Sequence, residues 1–176
     1  MTQREWCTPE EMKRACDFVL SDIGPKEVDA LYVYGNTPDN ERSVLPVVAE
    51  AYKEGYASKI LLCGGGQYAP QGVCAYSGGE AWALNLVERG VPESSIILLP
   101  RPPLSHTGTE ADRLVLWAQK HRISKMGITA YRQHQIRAFV NTIAAIKRYG
   151  GAIKIFNRPG APLPWFENVI FSQGNI

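Results

Sequence analysis

The sequence predicts an α/β protein with a parallel sheet of about five strands and helices on both faces of that sheet. Short apolar runs without polar alternation recur along the chain, which is typical of strands that are buried on both faces. They cover residues 29–35, 59–66, 95–100, 125–129 and 152–156. Segments with helical periodicity separate these runs, and this repeated order indicates parallel strands joined by right-handed crossovers. Lys154 in the last run favours an edge position for that strand.

The helical segments carry start and stop signals. Thr8 is the predicted N-cap of the first helix, with Pro9 at its first position and Glu11 completing a capping box. Gly24 and Pro25 end that helix. The later helices are predicted over residues 42–54, 80–89, 110–121 and 133–149.

Three details of these helices are also predicted. Pro46 indicates a late start or a kink in the second helix. Thr107 or Thr109 is expected to cap the fourth. In the fifth, the predicted core stripe consists of Ile136, Phe139, Val140, Ile143 and Ile146, while His134, Arg137, Asn141 and Arg148 fall on another face.

Length and composition bound the class of protein. A chain of 176 residues is long enough for one domain with a real core. We predict one α/β domain over residues 1–156, followed by a Pro-, Gly- and aromatic-rich tail, residues 157–176, that packs against it. The net charge of +2 is too small to favour a nucleic-acid partner. The sequence shows neither a bilayer-spanning apolar run nor a signal peptide, and no pair among its four cysteines has C-x-x-C spacing, so we expect a cytoplasmic protein without a membrane anchor.

Polar residues that follow the strand ends are the candidate site. In an open parallel sheet, ligands bind outside the carboxyl ends of the strands, so residues that follow different strands are expected to meet at one rim. The candidates for catalysis are His134, Glu80 and Glu110. The candidates for ligand binding are Asn36, Arg42, Gly64, Gly65, Gly66, His106, Thr107, Thr109, Tyr131, Arg132 and Arg137.

Each of these candidates also has a purely structural interpretation. The Gly64–Gly66 run lets backbone N–H groups approach an anion, but a tight turn with positive φ explains it equally well. Arg132 and Arg137 oppose the dipole of the helix they open, which favours an anionic partner. A solvated polar stripe, or salt bridges to Glu80 or Glu110, would also account for them.

Several motifs occur in an order that is similar to a known family. They are A-x-x-Y-x-x-G at Ala49, Tyr52 and Gly55; KILLCGGG; a helix that opens with GEA and leads to ERGVPESSIIL; T-x-x-E; T-A-Y; and H-x-x-R-A. Over residues 29–150 the chain resembles the domain-of-unknown-function 218 family typified by YdcF, SanA and ElyC. The chain departs from the family pattern at His106, where the family usually has Asn, and the spacing there is one residue longer.

The resemblance implies a three-layer, Rossmann-like fold. It also implies similarity to the soluble YdcF type, whose members look like binders of S-adenosylmethionine, rather than to the membrane-anchored SanA and ElyC types linked to envelope integrity. Matched by motif, the family's polar positions fall on Arg42, Gly64, Gly65, Glu80, Thr107, Glu110, His134 and Arg137.

Three functional hypotheses remain open. The first is binding of a small nucleotide-type or anionic ligand, with S-adenosylmethionine as the one cofactor to consider. The second is a hydrolase or transferase that acts on a phosphate or pyrophosphate ester, with His134 or His106 as general acid/base and Glu80 or Glu110 to orient it. The third is a non-catalytic interaction module, and a homodimer is left open. The chain lacks the G-x-S-x-G elbow of serine hydrolases and the G-x-G-x-x-G dinucleotide fingerprint.

Overall fold

The computed structural model describes residues 8–21, 24–69, 76–101 and 106–164. Its sheet has five parallel strands in the order β3-β2-β1-β4-β5. They are β1 (Ala30–Val33), β2 (Ile60–Cys63), β3 (Ile96–Leu99), β4 (Lys125–Thr129) and β5 (Lys154–Asn157). This confirms the predicted three-layer, Rossmann-like α/β fold, and Lys154 does lie on an edge strand.

The helices are α1 (Pro9–Leu20), α2 (Glu41–Lys53), α3 (Gly79–Glu88), α4 (Thr107–Lys120) and α5 (Arg132–Tyr149), with short 3₁₀ turns at Pro38–Asn40 and Glu93–Ser95. The capping box of α1 is confirmed, since Thr8 Oγ1 accepts from the Glu11 amide at 3.2 Å and the Glu11 carboxylate accepts from the Thr8 amide at 2.7 Å. Of the two alternatives predicted from Pro46, a late start or a kink in α2, the late start is wrong. The turn at Pro38–Asn40 leads directly into the helix at Glu41, and Pro46 lies inside it.

Two apolar cores lie on opposite faces of the sheet. On one face α2 and α3 contribute Val44, Val48, Trp82 and Leu86. On the other face α4 and α5 contribute Leu114, Val115, Ala118, Ala138 and Ala145. All four residues of β1 and of β2 are buried, because helices cover both of their faces.

The face that α5 turns to the core differs from the prediction. Its buried residues are His134, Gln135, Ala138, Thr142 and Ala145. Val140, predicted to lie in the core, is 57% exposed, and the other four members of the predicted stripe are half-buried. One of these, Phe139, meets the Phe18 ring of α1 edge to face at 6.3 Å between ring centroids. The larger apolar residues of α5 therefore lie toward its margin, while the small residues Ala138 and Ala145 pack inward.

The direction of chain progression reverses at β1. The chain proceeds from β1 through β2 to β3 on one side and then returns to place β4 on the other side of β1. Such a reversal opens a crevice between the carboxyl ends of the two strands, here β1 and β4. The strand order alone therefore predicts that a ligand would bind in the crevice between β1 and β4.

The segment after β5 runs along one side of this crevice. The amides of Arg158 and Gly160 donate to the carbonyl oxygens of Ile128 and Ala130 at 3.0 and 2.8 Å, and the Ala161 amide donates to Ser43 O of α2 at 2.7 Å. A Cβ on Gly160 would lie 2.5 Å from Ser43 Oγ, so glycine is required for this close approach. Of the predicted tail, residues 157–164 are described, and residues 165–176 lie outside the described part of the chain.

None of the helices within the described ranges combines the length and apolar character needed to cross a bilayer.

Candidate functional site

A side-chain hydrogen bond joins the two strands that flank the crevice. Asn36 lies just after β1, and His134 lies in the first turn of α5, just after β4. His134 Nδ1 is 3.0 Å from Asn36 Oδ1, and both residues are buried. Two polar residues predicted for the site from separate parts of the sequence are therefore in direct contact.

A third predicted residue completes this group. Thr107 is the first residue of α4, and its Oγ1 lies 3.0 Å from His134 Nε2. Thr107 is half-buried, in contrast to His134 and Asn36. We refer to Asn36, His134 and Thr107 as the relay.

The hydrogen bond from Asn36 to Tyr34 O determines which atoms of the relay donate and which accept. The Asn36 side-chain amide donates from Nδ2 to Tyr34 O at 2.6 Å, so its Oδ1 is the atom that faces His134. Because Oδ1 can only accept, His134 Nδ1 carries the proton, and Nε2 of the neutral ring is then an acceptor. The Thr107 hydroxyl therefore donates to Nε2.

Burial keeps His134 uncharged. Loss of hydration, with a further contribution from the positive charge of Arg137, lowers the pKa of His134 from 6.5 to about 3. The rings of Tyr34 and Tyr131 both contact the His134 ring, with centroid distances of 6.0 and 5.7 Å. At neutral pH the imidazole is thus in the form that can accept a proton at Nε2.

Gln135 holds the turn that presents His134. Its Oε1 accepts from the Ala130 amide at 2.7 Å, and its Nε2 donates to Ile128 O at 3.1 Å and to Asn157 Oδ1 at 2.8 Å. These bonds connect the end of β4, the start of α5 and the end of β5. Gln135 is absent from the predicted set because its partners lie at the ends of two different strands, β4 and β5, so its role is not visible in local sequence.

Glu110 occupies a buried position near the end of β1. Its Oε1 lies 3.5 Å from the Tyr32 hydroxyl, and the Gly35 amide also donates to its carboxyl group. Burial outweighs these hydrogen bonds and raises the pKa of Glu110 from 4.5 to about 7. The group therefore titrates close to neutrality, as catalytic carboxyl groups often do.

The glycine run after β2 is largely occupied by internal contacts. The Gly64 amide extends the pairing with β3 by donating to Leu99 O at 2.7 Å. Gly65 has φ of 91°; its amide donates to Glu80 Oε1 at 3.1 Å, and its carbonyl oxygen accepts from the Gly79 amide at 3.0 Å. Glu80 thus holds the loop against the start of α3. These contacts favour the structural interpretation of Gly64 and Gly65, whereas Gly66 is exposed.

Arg101 is missing from the predicted set although it follows β3. Its Nη1 donates to Gly66 O at 2.7 Å, and its guanidinium carbon lies 4.8 Å from the centroid of the Tyr68 ring. Its Nη2 is buried and has no hydrogen-bond partner among the residues that the structure describes. Arg101 therefore belongs to a second polar group, with Gly65, Gly66 and Glu80, on the β2 side of the crevice.

His106 caps α4, so the prediction that Thr107 or Thr109 is the N-cap is wrong. Its Nδ1 accepts from the amides of Gly108 and Thr109 at 3.2 and 3.3 Å, and Thr109 Oγ1 accepts from the His106 amide at 3.1 Å. The imidazole nitrogen takes the acceptor role that a hydroxyl or carboxylate usually fills. His106 and Thr109 thus make capping contacts, while the hydroxyl of Thr107 bonds to His134.

The remaining predicted residues lie around the start of α5, except for Arg42, which is exposed in α2. Tyr131 is the N-cap residue of α5 but makes no side-chain cap, and burial raises its pKa. Arg132 is half-buried, and its Nε has no hydrogen-bond partner within the described ranges. Arg137 is exposed, yet close enough that its charge affects both His134 and Tyr131.

Within the described ranges, no group of three or more histidine, cysteine, aspartate or glutamate side chains is placed to hold a metal ion.

No protein-family model matches the chain. No curated protein matches it either. The resemblance to the YdcF-like family thus remains a prediction from motifs.

Proposed function

We propose that this protein binds a small anionic ligand of nucleotide type in the crevice between the carboxyl ends of β1 and β4. The observation that carries the proposal is the electrostatic character of the start of α5. Of the described α-helices, α5 alone has no acidic residue in its first turn, and it begins instead with Arg132. The N-terminal end of a helix is itself positive, so an additional cation there favours an anionic partner.

An unsatisfied buried donor at the start of α5 supports the same ligand chemistry. The Arg132 Nε is buried without a partner in the described part of the chain, and a buried donor of this kind is costly unless a ligand or water bonds to it. Arg137 lies one turn further along α5 and raises the local positive charge. A carboxylate or phosphate accepts well from guanidinium groups and from backbone N–H groups at a helix N-terminus.

The nucleotide character rests on the fold and on the sequence resemblance. Sheets with this strand reversal bind nucleotides at the reversal, and the YdcF-like motifs imply S-adenosylmethionine, whose carboxylate suits Arg132 and Arg137. Tyr131 is half-buried beside His134 and offers an aromatic surface to a base.

The test is a thermal-shift panel on the full chain. It contains S-adenosylmethionine, S-adenosylhomocysteine, nucleoside mono- and diphosphates, nucleotide sugars and inorganic phosphate. A ligand at 100 times its dissociation constant should stabilise the protein by about 2.7 kcal/mol. We expect Arg137→Ala to abolish the shift and Arg113→Ala, which removes an exposed arginine from α4, to retain it.

Two other outcomes of the panel would change the proposal. A shift of equal size in Arg137→Ala would place the ligand elsewhere. A flat panel would contradict ligand binding and favour the interaction module.

A hydrolase or transferase that acts on a phosphate ester is the second candidate. The relay favours it, because the hydroxyl of Thr107 bonds to His134 and His134 bonds in turn to Asn36. In that reaction His134 would act as a base, since its Nε2 carries no proton in the neutral ring. Release of phosphate from a compound that shifts the melting temperature, lost in His134→Ala, would establish this candidate. Binding without phosphate release would leave the first.

A further inference from the structure

The relay has the geometry of a nucleophile, its base and the group that orients the base. In such an arrangement a hydroxyl bonds to one nitrogen of an imidazole, and a side-chain oxygen bonds to the other nitrogen. Here the distances are 3.0 Å from Thr107 Oγ1 to His134 Nε2 and 3.0 Å from His134 Nδ1 to Asn36 Oδ1. The three residues come from the start of α4, the start of α5 and the end of β1.

The hydrogen-bond directions are those the chemistry requires. A base must present an unprotonated nitrogen to the hydroxyl, and the bond from Nδ1 to Asn36 leaves Nε2 in that state. Asn36 is in turn held by its own bond to Tyr34 O. The ring is therefore fixed in one tautomer before any substrate arrives.

The position of Thr107 suits attack on a carbonyl group. It is half-buried, whereas His134 and Asn36 lie behind it with exposures of 5% and 4%. As the first residue of α4, it stands at the positive end of the helix. An oxyanion that forms next to its hydroxyl would lie beside its own backbone N–H group, which is how oxyanion holes are commonly built.

We propose that Thr107 is a nucleophile that takes an acyl group from an activated ester or thioester, with His134 as the base and Asn36 as the positioning residue. Thr107 Oγ1 attacks the carbonyl carbon and forms a C–O bond, while its proton passes to His134 Nε2. The bond to the leaving alcohol or thiol then breaks, and the leaving group takes that proton. Water attacks the resulting acyl-threonine in the same way, which releases the carboxylic acid and restores the hydroxyl.

Arg137 makes an anionic acyl donor the preferred substrate. Burial is the main cause of the low pKa of His134, and the charge of Arg137 lowers this pKa further, so the ring is repelled by Arg137 when it takes the proton. A carboxylate or phosphate group on the substrate that pairs with Arg137 offsets this repulsion. This preference rests on the anionic ligand proposed above, whereas the role of Thr107 does not.

The first experiment measures acylation of the full chain by p-nitrophenyl acetate, which is neutral, and by mono-p-nitrophenyl succinate, which is anionic. Release of p-nitrophenolate is followed by absorbance, and the acylated residue is located by peptide mass spectrometry. We expect a burst, an acyl group on Thr107 and a faster burst with the succinate ester. Thr107→Val should lower the burst by about 10²-fold or more, and Thr107→Ser, which retains the hydroxyl, should restore it.

The matched pair Thr107→Val and Thr107→Ser decides the inference. An acyl group found only on residues other than 107, or a burst unchanged in Thr107→Val, would overturn it. The thermal-shift panel and the acylation assay, both carried out on the wild-type chain, separate it from the proposed function. Ligand binding without any acylation would overturn the role of Thr107 as nucleophile and leave the binding proposal. Acylation of Thr107 without ligand binding would overturn the binding proposal and leave the role of Thr107.

A second experiment tests the positioning role of Asn36 through the pH profile. A carboxylate in Asn36→Asp would face Nδ1 and raise the pKa of His134. Because only the neutral ring is a base, the burst rate of that variant should fall as the pH decreases through the raised pKa, whereas the wild-type rate should remain flat well below neutrality. A profile of Asn36→Asp that coincides with the wild type would show that Asn36 does not act through His134.

Discussion

Glu110 and Gly35 are in close contact: the Oε1 atom of Glu110 lies 3.3 Å from the position that a Cβ atom at residue 35 would occupy. The absence of a side chain at Gly35 lets the carboxyl group of α4 reach the end of β1, where the Gly35 amide donates to it. The same approach removes the carboxyl group from water. The Glu110 carboxyl group therefore binds its proton more tightly in the folded state than in the unfolded state.

The stability of the protein should depend on pH through Glu110. Its folded pKa is about 7 against an ordinary 4.5, so the folded state binds the proton more tightly. This contribution is fully present below pH 4.5 and is lost as the pH rises toward 7, a change of about 3 kcal/mol in the free energy of unfolding. Urea denaturation at a series of pH values should show this slope in the wild type and lose it in Glu110→Gln. The exposed Glu88→Gln serves as a control, and an equal slope in Glu110→Gln would refute the prediction.

Gly79 should tolerate no side chain. A Cβ there would lie 2.8 Å from Gly64 Cα and would also collide with Cys63 O, both of them backbone atoms at the end of β2. We expect Gly79→Ala to lower the free energy of unfolding by about 3 kcal/mol, the upper end of the usual cost of overpacking. Gly66→Ala is the matched control, because a Cβ at Gly66 meets nothing within 4 Å. Equal unfolding midpoints for the two variants would show that α3 can move away from β2.

The inward face of α5 can be tested with two substitutions on the same helix. Thr142 is buried, and its Oγ1 is 2.6 Å from the hydroxyl of Tyr34, so Thr142→Val leaves that hydroxyl without its partner at a cost of about 1–3 kcal/mol. Val140 is 57% exposed, so Val140→Ala should change the stability by no more than about 0.5 kcal/mol. Chemical denaturation of both variants measures the difference. A larger loss of stability in Val140→Ala than in Thr142→Val would support the core stripe predicted from the sequence.

Asp29 should stabilise the start of β4 only in its ionised form. Its Oδ2 accepts from the amides of Ser124 and Lys125 at 2.7 and 2.9 Å, and these bonds, that of Lys125 foremost, lower its pKa below 3.8. The contribution is present above pH 3.8 and is lost as the pH falls through the folded pKa. Because Asp29 is exposed, Asp29→Asn should cost only about 0.5–1.5 kcal/mol at pH 7, and the loss of stability at acid pH should become smaller. Glu93→Gln, at an exposed turn, provides the comparison; a variant as stable as the wild type at pH 7 would contradict this role.

Much of the fold could be predicted from the sequence because strand burial and helix caps leave local signals. The apolar runs place all five strands to within a few residues, and Thr8, Pro9 and Glu11 mark the start of α1. The start of α4 lies three residues before the predicted one, at Thr107, because its cap is a histidine rather than one of the usual residues. The inward face of α5 was mispredicted for a different reason: hydrophobicity favours Val140, whereas the space against the sheet admits Ala138 and Ala145.

The candidate site was also predicted only in part from the sequence. The sequence predicts that Asn36, Thr107 and His134 each follow a strand, which places all of them at the carboxyl rim. It does not predict that they touch, because contact depends on the strand order and on the return of the chain to place β4 beside β1. Nor does it predict that Glu80 bonds to the Gly65 amide while Glu110 is buried near Gly35.

By itself, then, the sequence determined the order of strands and helices and the set of polar residues at one end of the sheet, since both follow from local pattern. Only the tertiary structure decided which of those residues meet and in which protonation state. The contact between Asn36 and His134 spans 98 positions in sequence, and loss of water around the ring and around Glu110 moves the two pKa values in opposite directions. Desolvation penalises a charged imidazole and a charged carboxylate alike, and it arises only when distant segments pack together.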